Sequence, residues 1–452
     1  MVDLHKSFSA IRPFKALVIG DFMLDTYTTG RVKRISPEAP VPVMEVIKQE
    51  SRAGGAGNVV LNLLKLGAEV FAVGRLGSDS AGKDLIEALK SADITGFVFD
   101  PNYKTIVKNR LISDSQQLLR VDMETISPLL PSLEKEVFLY LEKVMEKVQV
   151  IAVSDYGKGF LTATLLQFLI DLANEKKVPI LIDPKGIDFS KYRKATILKP
   201  NLSEAYAAAK LPASATLDEV AKTILAMTEV ELLMITRSEA GITLFEKNGK
   251  RSDFPVRAKE VKDVTGAGDT VLATLCLSVA SGLAMEFAAQ LANIAAGLSI
   301  ERLGCVQVSL PEIARRLLQQ HSGAKIYDEY HTYVLGQVLK ERRYALLVLN
   351  QGQRMNNALF RTIRELSRRD GAELVVYVQA SPTDEFIDLL SSLSEVDYII
   401  LQKESLEHLL TVMHPEEVFF MENEEKELLL SLLARFANHS AAQAKISLVK
   451  ND

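Results

Sequence analysis

Short apolar runs alternate with polar breaks along the first 320 residues. Residues 16–19 run into Gly20-Asp21, 148–153 into Ser154-Asp155, 180–182 into Asp183-Pro184, 197–198 into Lys199-Pro200-Asn201, and 232–235 into Thr236-Arg237. Runs of this length that stop at polar residues predict buried strands. In α/β proteins, ligands bind at such carboxyl ends. Helical periodicity at 161–175 and 217–227 separates the strands, so a mostly parallel, layered sheet is expected. Segments 41–47, 105–112 and 118–122 instead alternate apolar and polar residues. They predict a small half-exposed side sheet, which serves either as a lid over a site or as an oligomer contact.

The pattern restarts after about residue 319 with a charged helix at 327–343. Strands are then expected at 345–349, 374–378, 398–401 and 418–421, with helices at 357–369, 384–393, 406–413 and 424–436. That order predicts a compact Rossmann-like unit. At 452 residues the chain exceeds what one hydrophobic core holds. The expected division is 1–320, a helical linker at 321–340, and 341–452.

Residues 270–300 carry one charge, Glu286, over a length that spans a bilayer. Gly282 breaks the run and Gln290 and Asn293 lie inside it, so two core helices joined near 281–283 are expected rather than a membrane segment. A net charge of -5 and a pI near 5.9 leave no electrostatic footprint for nucleic acid. The two cysteines, Cys276 and Cys305, sit among small apolar residues without paired or metal-ligand spacing, which predicts buried free thiols in a reducing cytosol. The first eight residues do not form the apolar core of a secretion signal, so a cytoplasmic location is expected.

The strongest chemical signal is DVTGAGDT at 263–270, which leads directly into the apolar helical stretch. Free N–H groups at a glycine-lined helix start attract phosphate oxygens, and glycine lets the backbone approach them. A carboxylate there, Asp269, suits the task of orienting and deprotonating a hydroxyl as it attacks phosphorus; the plainer alternative is a helix N-cap. The loop lacks the P-loop and dinucleotide-binding patterns. The sequence also has no zinc-hydrolase or G-x-S-x-G signature. A second glycine cluster, AGGAGN at 53–58, precedes another helical pattern. Gly54, Gly55 and Asn58 suit a polyhydroxylated ligand touching backbone and amide, and Asp25 supplies a carboxylate acceptor; Asn58 is otherwise an N-cap.

These two blocks resemble the ribokinase-like (PfkB) carbohydrate kinases. RISPEAPVP at 34–42, SDYGKG at 154–159, DPKG at 183–186, PNLSE at 200–204 and TRSE at 236–239 sharpen the resemblance to the bacterial heptose 7-phosphate kinases, often fused to an adenylyltransferase. It covers residues 12 to about 318. The resemblance implies a ribokinase-like three-layer α/β sandwich with a small β-sheet lid, and transfer of the ATP γ-phosphate to O1 of D-glycero-β-D-manno-heptose 7-phosphate on the route to ADP-heptose. Asp269 would be the base, and Gly266, Ala267 and Gly268 the anion hole. Asn201, Leu202, Ser203 and Glu204 would manage Mg²⁺ and nucleotide, Glu204 reaching the metal through water. Thr236, Ser238 and Gly241 would line the nucleotide, with Asn293 near adenine or simply a satisfied helix residue. Asp25, Gly54, Gly55 and Asn58 would read sugar hydroxyls. Lys108, Arg110 and Arg120 would meet the 7-phosphate, the arginines through their bidentate fit. Ribokinase-like proteins often pair through the side sheet, so the resemblance implies a homodimer, although the sequence does not fix oligomeric state.

Residues 341–452 resemble the adenylyltransferase half in pattern but not in chemistry. Where the active half carries H-x-G-H after its first strand, this chain has Asn350-Gln-Gly-Gln-Arg-Met-Asn-Asn357, and only His439-Ser440 resembles a remnant of the later phosphate-binding helix start. A structural or regulatory remnant is expected. Two rival functions stand beside the heptose kinase: a kinase for another phosphosugar, and a non-catalytic sugar or nucleotide sensor.

Overall fold

The computed structural model describes residues 4–114, 116–256, 261–302, 304–320, 325–340, 342–350, 354–369, 372–379, 382–402, 406–422 and 425–428. The chain divides into two compact units, one of residues 11–309 and one that joins residues 1–10 to those from 310 onward.

The 11–309 unit is built on an eight-stranded sheet. Its strand order is Arg251–Phe254, Ile242–Glu246, Leu232–Thr236, Ile197–Leu198, Ile180–Asp183, Val150–Ser154, Lys15–Gly20, Glu69–Val73. All neighbours are parallel until the final hairpin, where 232–236, 242–246 and 251–254 pair antiparallel. Both faces of the sheet are covered, as a parallel sheet requires. On one face Leu17, Ile19, Ile151, Val153, Ile180 and Ile182 pack in a single core with the helices Pro131–Val144, Ala163–Lys176, Leu202–Ala209 and Leu217–Thr228. Helices Ala56–Lys65, Ala267–Ala280 and Met285–Ile300 cover the other face.

The apolar stretch 270–300 thus becomes two core helices. The chain turns at Gly282, whose φ of 67° and bond from N–H to the Val279 carbonyl close the first helix. Among the described residues, no helix is long and apolar enough to cross a membrane.

The side sheet has four strands, in the order Pro42–Gly55, Phe22–Ile35, Ile106–Ser113, Gln116–Met123. The strand Phe22–Ile35 leaves the central sheet directly after Asp21. The alternation that betrays the other three is blurred there, because both faces of its first half are buried.

The second unit has a six-stranded sheet: Ile326–Tyr327, Tyr398–Gln402, Glu373–Gln379, Tyr344–Leu349, Glu417–Glu422, Glu425–Leu428. Only the last pair is antiparallel. Leu347, Leu349, Val376, Val378 and Ile399 pack with Leu359, Ile363 and Leu366 of the helix Asn357–Ser367. Two expectations need correction. The segment read as a linker carries a strand of this sheet and the helix Glu329–Leu339, which packs on Leu310–Gln320 and Leu406–Met413. Where a helix was expected from 424, residues 425–428 form an edge strand on 417–422; the rest of that expected helix lies outside the described residues. Phe8, on the helix Leu4–Phe8, is fully buried with its ring 6.1 Å from that of Tyr333, so the N-terminus belongs to this unit.

Candidate active site

Gly266 caps the Ala267–Ala280 helix at φ 79°, a conformation that favours glycine. A Cβ there would also lie 2.7 Å from the Asn58 amide nitrogen. First-turn amides have no carbonyl within their own helix, and those of Gly268 and Asp269 are among them. Gly268 keeps the approach to them open: its missing Cβ would sit 3.6 Å from both the Lys199 ammonium and the Asp183 carboxylate. Lys199, its side chain 3% exposed, pairs with Asp183 at 2.9 Å. A buried cation, a helix dipole and unshielded amides converge at this point, so the chemistry of the surroundings fits a phosphoryl group.

Asp269 lies at the centre of the cluster and is 3% exposed. Its Oδ2 accepts the Asn58 amide at 2.8 Å and its Oδ1 the Tyr156 hydroxyl at 3.1 Å. Burial pushes its carboxyl up to about 7; the Asn58 bond opposes the rise, Asp183 adds to it, and Lys199 and Tyr156 oppose it. A carboxyl poised near neutrality suits proton abstraction. The N-cap alternative is not what the geometry gives, because Gly266 is the cap and Asp269 bonds two side chains from distant elements.

Asn58 is not an N-cap either; Gly55 fills that place on the Ala56–Lys65 helix. The Asn58 Oδ1 accepts Asn62 at 3.3 Å and Gln307 at 3.2 Å, which turns its nitrogen toward Asp269. Expected as a reader of sugar hydroxyls, Asn58 is instead engaged with the carboxylate here.

Strand register assembles the remaining sugar-side residues. Asp25 pairs with Lys108 and Tyr27 with Arg110, while Lys108 lies opposite Asp122 and Arg110 opposite Arg120, so all six share one face of the side sheet. Arg110 donates to Asp25 at 2.5 Å, both being largely buried, and stacks 5.3 Å over the Tyr27 ring. A Cβ on Gly54 would meet the Asp25 carboxylate at 2.0 Å, so Asp25 occupies space that only glycine leaves. Gly55 has φ 57° and its Cβ would strike the Asp21 carbonyl at 2.5 Å. Lys108 projects 5.9 Å over the Tyr156 ring. Arg120 forms a two-point pair with Asp122 at 2.8 and 3.0 Å and is half exposed, the solvated arrangement common for strand charges.

The expected nucleotide residues fall into two groups. Asn201 and Glu204 form a reciprocal capping box on the helix Leu202–Ala209, and the Ser203 hydroxyl donates to Asn201 Oδ1. Leu202, the first residue of that helix, is exposed, and Thr236 pairs with Asn201 through a parallel bridge. Glu204 Oε1 takes the Lys185 ammonium at 2.8 Å, so a cation already stands against this carboxylate. Among the described residues no three His, Cys, Asp or Glu side chains cluster as direct metal ligands. In the second group, Ser238 opens a tight turn at φ 49°, and Gly241 at φ 78° passes so close to the Phe254 carbonyl that a Cβ would lie at 2.1 Å. Asn293 donates to that same carbonyl at 2.8 Å, the satisfied-helix-residue alternative. Cys276 and Cys305 are both free and buried.

The family described as pfkB family carbohydrate kinase matches residues 14–313. The chain belongs to this family. Curated relatives named Bifunctional protein HldE include that of Geobacter metallireducens, 44% identical over 71% of this chain and 66% of its own length, and that of Hydrogenovibrio crunogenus, 37% identical over 89% and 87%. Against the Geobacter relative the chain spans about two thirds of the partner's length. Among solved structures, Arabidopsis thaliana ribokinase complexed with ribose and ATP superposes with a TM-score of 0.55 at 18% identity, covering 68% of this chain and 99% of that one. Escherichia coli phosphofructokinase-2 in complex with potassium gives 0.56 at 16%, covering 69% and 99%. The fold is ribokinase-like.

Within this pfkB kinase unit, four site residues were given no role from the sequence, although Tyr156 and Asp183 lie inside the SDYGKG and DPKG blocks. Lys199, Asp183 and Tyr156 stand at or just beyond the carboxyl ends of three adjacent strands, where a ligand was expected on topology alone. Tyr27 shares the Asp25 face, and its hydroxyl is buried with no hydrogen-bond partner among the described residues. An alternating-residue count outward from Asp25 finds it.

Proposed function

We propose that the 11–309 unit phosphorylates D-glycero-β-D-manno-heptose 7-phosphate at O1, with ATP as donor, to give the 1,7-bisphosphate used in ADP-heptose and lipopolysaccharide-core synthesis. The observation that carries the kinase reading is the buried Asp269 carboxyl, raised to about 7, at a glycine-lined helix start beside Lys199. Asp269 takes the proton of the acceptor hydroxyl as its oxygen attacks phosphorus. Gly266, Ala267 and Gly268 present the helix start to charge developing on the transferred group, and Lys199 adds a fixed positive charge. Magnesium, when bound, neutralises phosphate charge; Asn201 and Glu204 would hold it through water, with Lys185 yielding its place. Thr236, Ser238, Gly241 and Asn293 would border the nucleotide.

On the sugar side, Asp25, Gly54, Gly55 and Tyr27 would meet hydroxyls, and Asn58 would reach them only beside Asp269. Arg110, with Lys108 and Arg120, supplies cations for the 7-phosphate. The heptose itself rests on the 44% and 37% identity to proteins named HldE. The second unit would carry no adenylyl transfer, since no histidine occupies 350–357. Pairing through the side sheet into a homodimer in the cytoplasm completes the proposal.

ADP release measured side by side with heptose 7-phosphate, fructose 6-phosphate and ribose tests the substrate. Heptose 7-phosphate is expected to give the highest kcat/KM. If it ranks last, the unit is a kinase for another sugar; if none of the three is turned over while ATP and sugar still bind, it is a sensor.

A further inference from the structure

We infer that Tyr156, in the loop after Val150–Ser154, is a positioning residue that fixes the orientation and charge of the Asp269 carboxylate through its hydroxyl. This rests on the kinase reading above and adds a residue to it. The hydroxyl donates to Asp269 Oδ1 at 3.1 Å while Asn58 donates to Oδ2 at 2.8 Å, so the carboxylate is held at both oxygens from two separate elements. Among the described residues that hydroxyl has no other hydrogen-bond partner, so the aim of the ring is specific.

The loop is built to hold this aim. The Asp21 carboxylate accepts the backbone N–H groups of both Tyr156 and Lys158, at 2.9 and 3.0 Å, which pins the loop to the first strand. The Tyr156 ring packs on the buried cluster of Met23, Tyr103 and Ile106, with Lys108 over its face. Lys158 pairs with Glu124 at 2.7 Å, just beyond the side sheet. A phenylalanine would fill that apolar seat as well as tyrosine does. The hydroxyl is what the packing does not require, and burying it is costly unless it has a partner.

A hydrogen bond to an ionised carboxylate favours the charged form. Asp183 raises the Asp269 carboxyl, whereas Lys199 and Asn58 lower it together with Tyr156. Cys305 and Asp183 also face the phenol, whose own ionisation is pushed well above the ordinary value, chiefly by burial, so it remains a neutral donor. Without it, Asp269 keeps its proton to higher pH and turns more freely about its last bond.

The test is kcat and KM against pH for wild type, Tyr156→Phe, and a chain with 3-fluorotyrosine at 156. In Tyr156→Phe, kcat below pH 7 should fall roughly tenfold, the acidic midpoint of kcat should rise, and KM for ATP should hold. Fluorotyrosine, a stronger donor, should move that midpoint the opposite way while preserving the fold, so it remains informative if the phenylalanine chain is insoluble. An unmoved midpoint in both, or a fall that is equal at every pH, overturns the assignment. Asp269→Asn separates the two levels: if it retains turnover the base reading fails, whereas an inactive Asp269→Asn with unshifted position-156 chains removes only Tyr156.

Discussion

Two helix starts in this chain lie at corresponding places, each near the carboxyl end of a parallel strand, and they differ in what the described residues bring to them. At Gly266 the helix N-terminus gathers a buried carboxylate, a buried ammonium, a phenol and an amide drawn from four places in the chain. At Asn356, in the second unit, the helix Asn357–Ser367 is capped by the side chain of the residue before it, which accepts from Leu359 at 2.8 Å. A helix dipole and free amides are common to both. A site forms where the surroundings leave those amides open and bring paired charges to them; a cap closes them.

The largest expected effect comes from removing the charge that distinguishes the first start. Asp269→Asn should lower kcat by on the order of a hundredfold or more, with ATP affinity nearly intact, because the lost group acts in the transition state. The same change should stabilise the fold. A carboxyl raised from 3.8 to about 7 binds its proton more tightly in the native state, so its contribution to stability falls as pH rises from about 4 to about 7 and stays low above that. Asparagine removes the buried charge, and a melting temperature a few degrees above wild type at pH 8 checks this; an unchanged or lower value shows that the charge is already compensated.

A second, smaller effect concerns pH in the unaltered chain. With its carboxyl near 7, the base is mostly protonated at pH 6 and mostly ionised at pH 8, so kcat should rise through that interval in a single-proton step. A rate flat from pH 5.5 to 8 would place the proton transfer elsewhere. Gly54→Ala probes the sugar side. Its new Cβ would overlap the Asp25 carboxylate, which must then leave Arg110, and KM for the sugar should rise roughly tenfold while KM for ATP changes little.

The core of the 11–309 unit was legible because its strands are buried on both faces and read as unbroken apolar runs, and the 263–270 block because its glycines have few other uses. What escaped was set by tertiary neighbours. Phe22–Ile35 hides its alternation, since the first half of the strand is covered on both sides. Asn58 carries the composition of a sugar reader, yet its amide is turned to Asp269 by Asn62 and Gln307, residues 4 and 249 positions away. Lys199 looks like any lysine before Pro-Asn until the sheet brings Gly268 to it. In the second unit, the linker reading failed because helix Glu329–Leu339 is buried by elements far from it in sequence, among them the helix Leu406–Met413 and the strand Tyr398–Gln402.

The smallest expected effect falls on the other helix start and completes the contrast. Asn356→Ala removes the cap bond to Leu359, so it should cost about 1 kcal/mol of the second unit's stability, seen as a small drop in the melting step of that unit. Because the Asn356 Oδ1 accepts from an amide of its own helix, kcat and KM for sugar phosphorylation should be unchanged. A fall in kinase turnover in this variant would mean that the second unit's helix start does more than end a helix, and that the Gly266 and Asn356 starts are not independent.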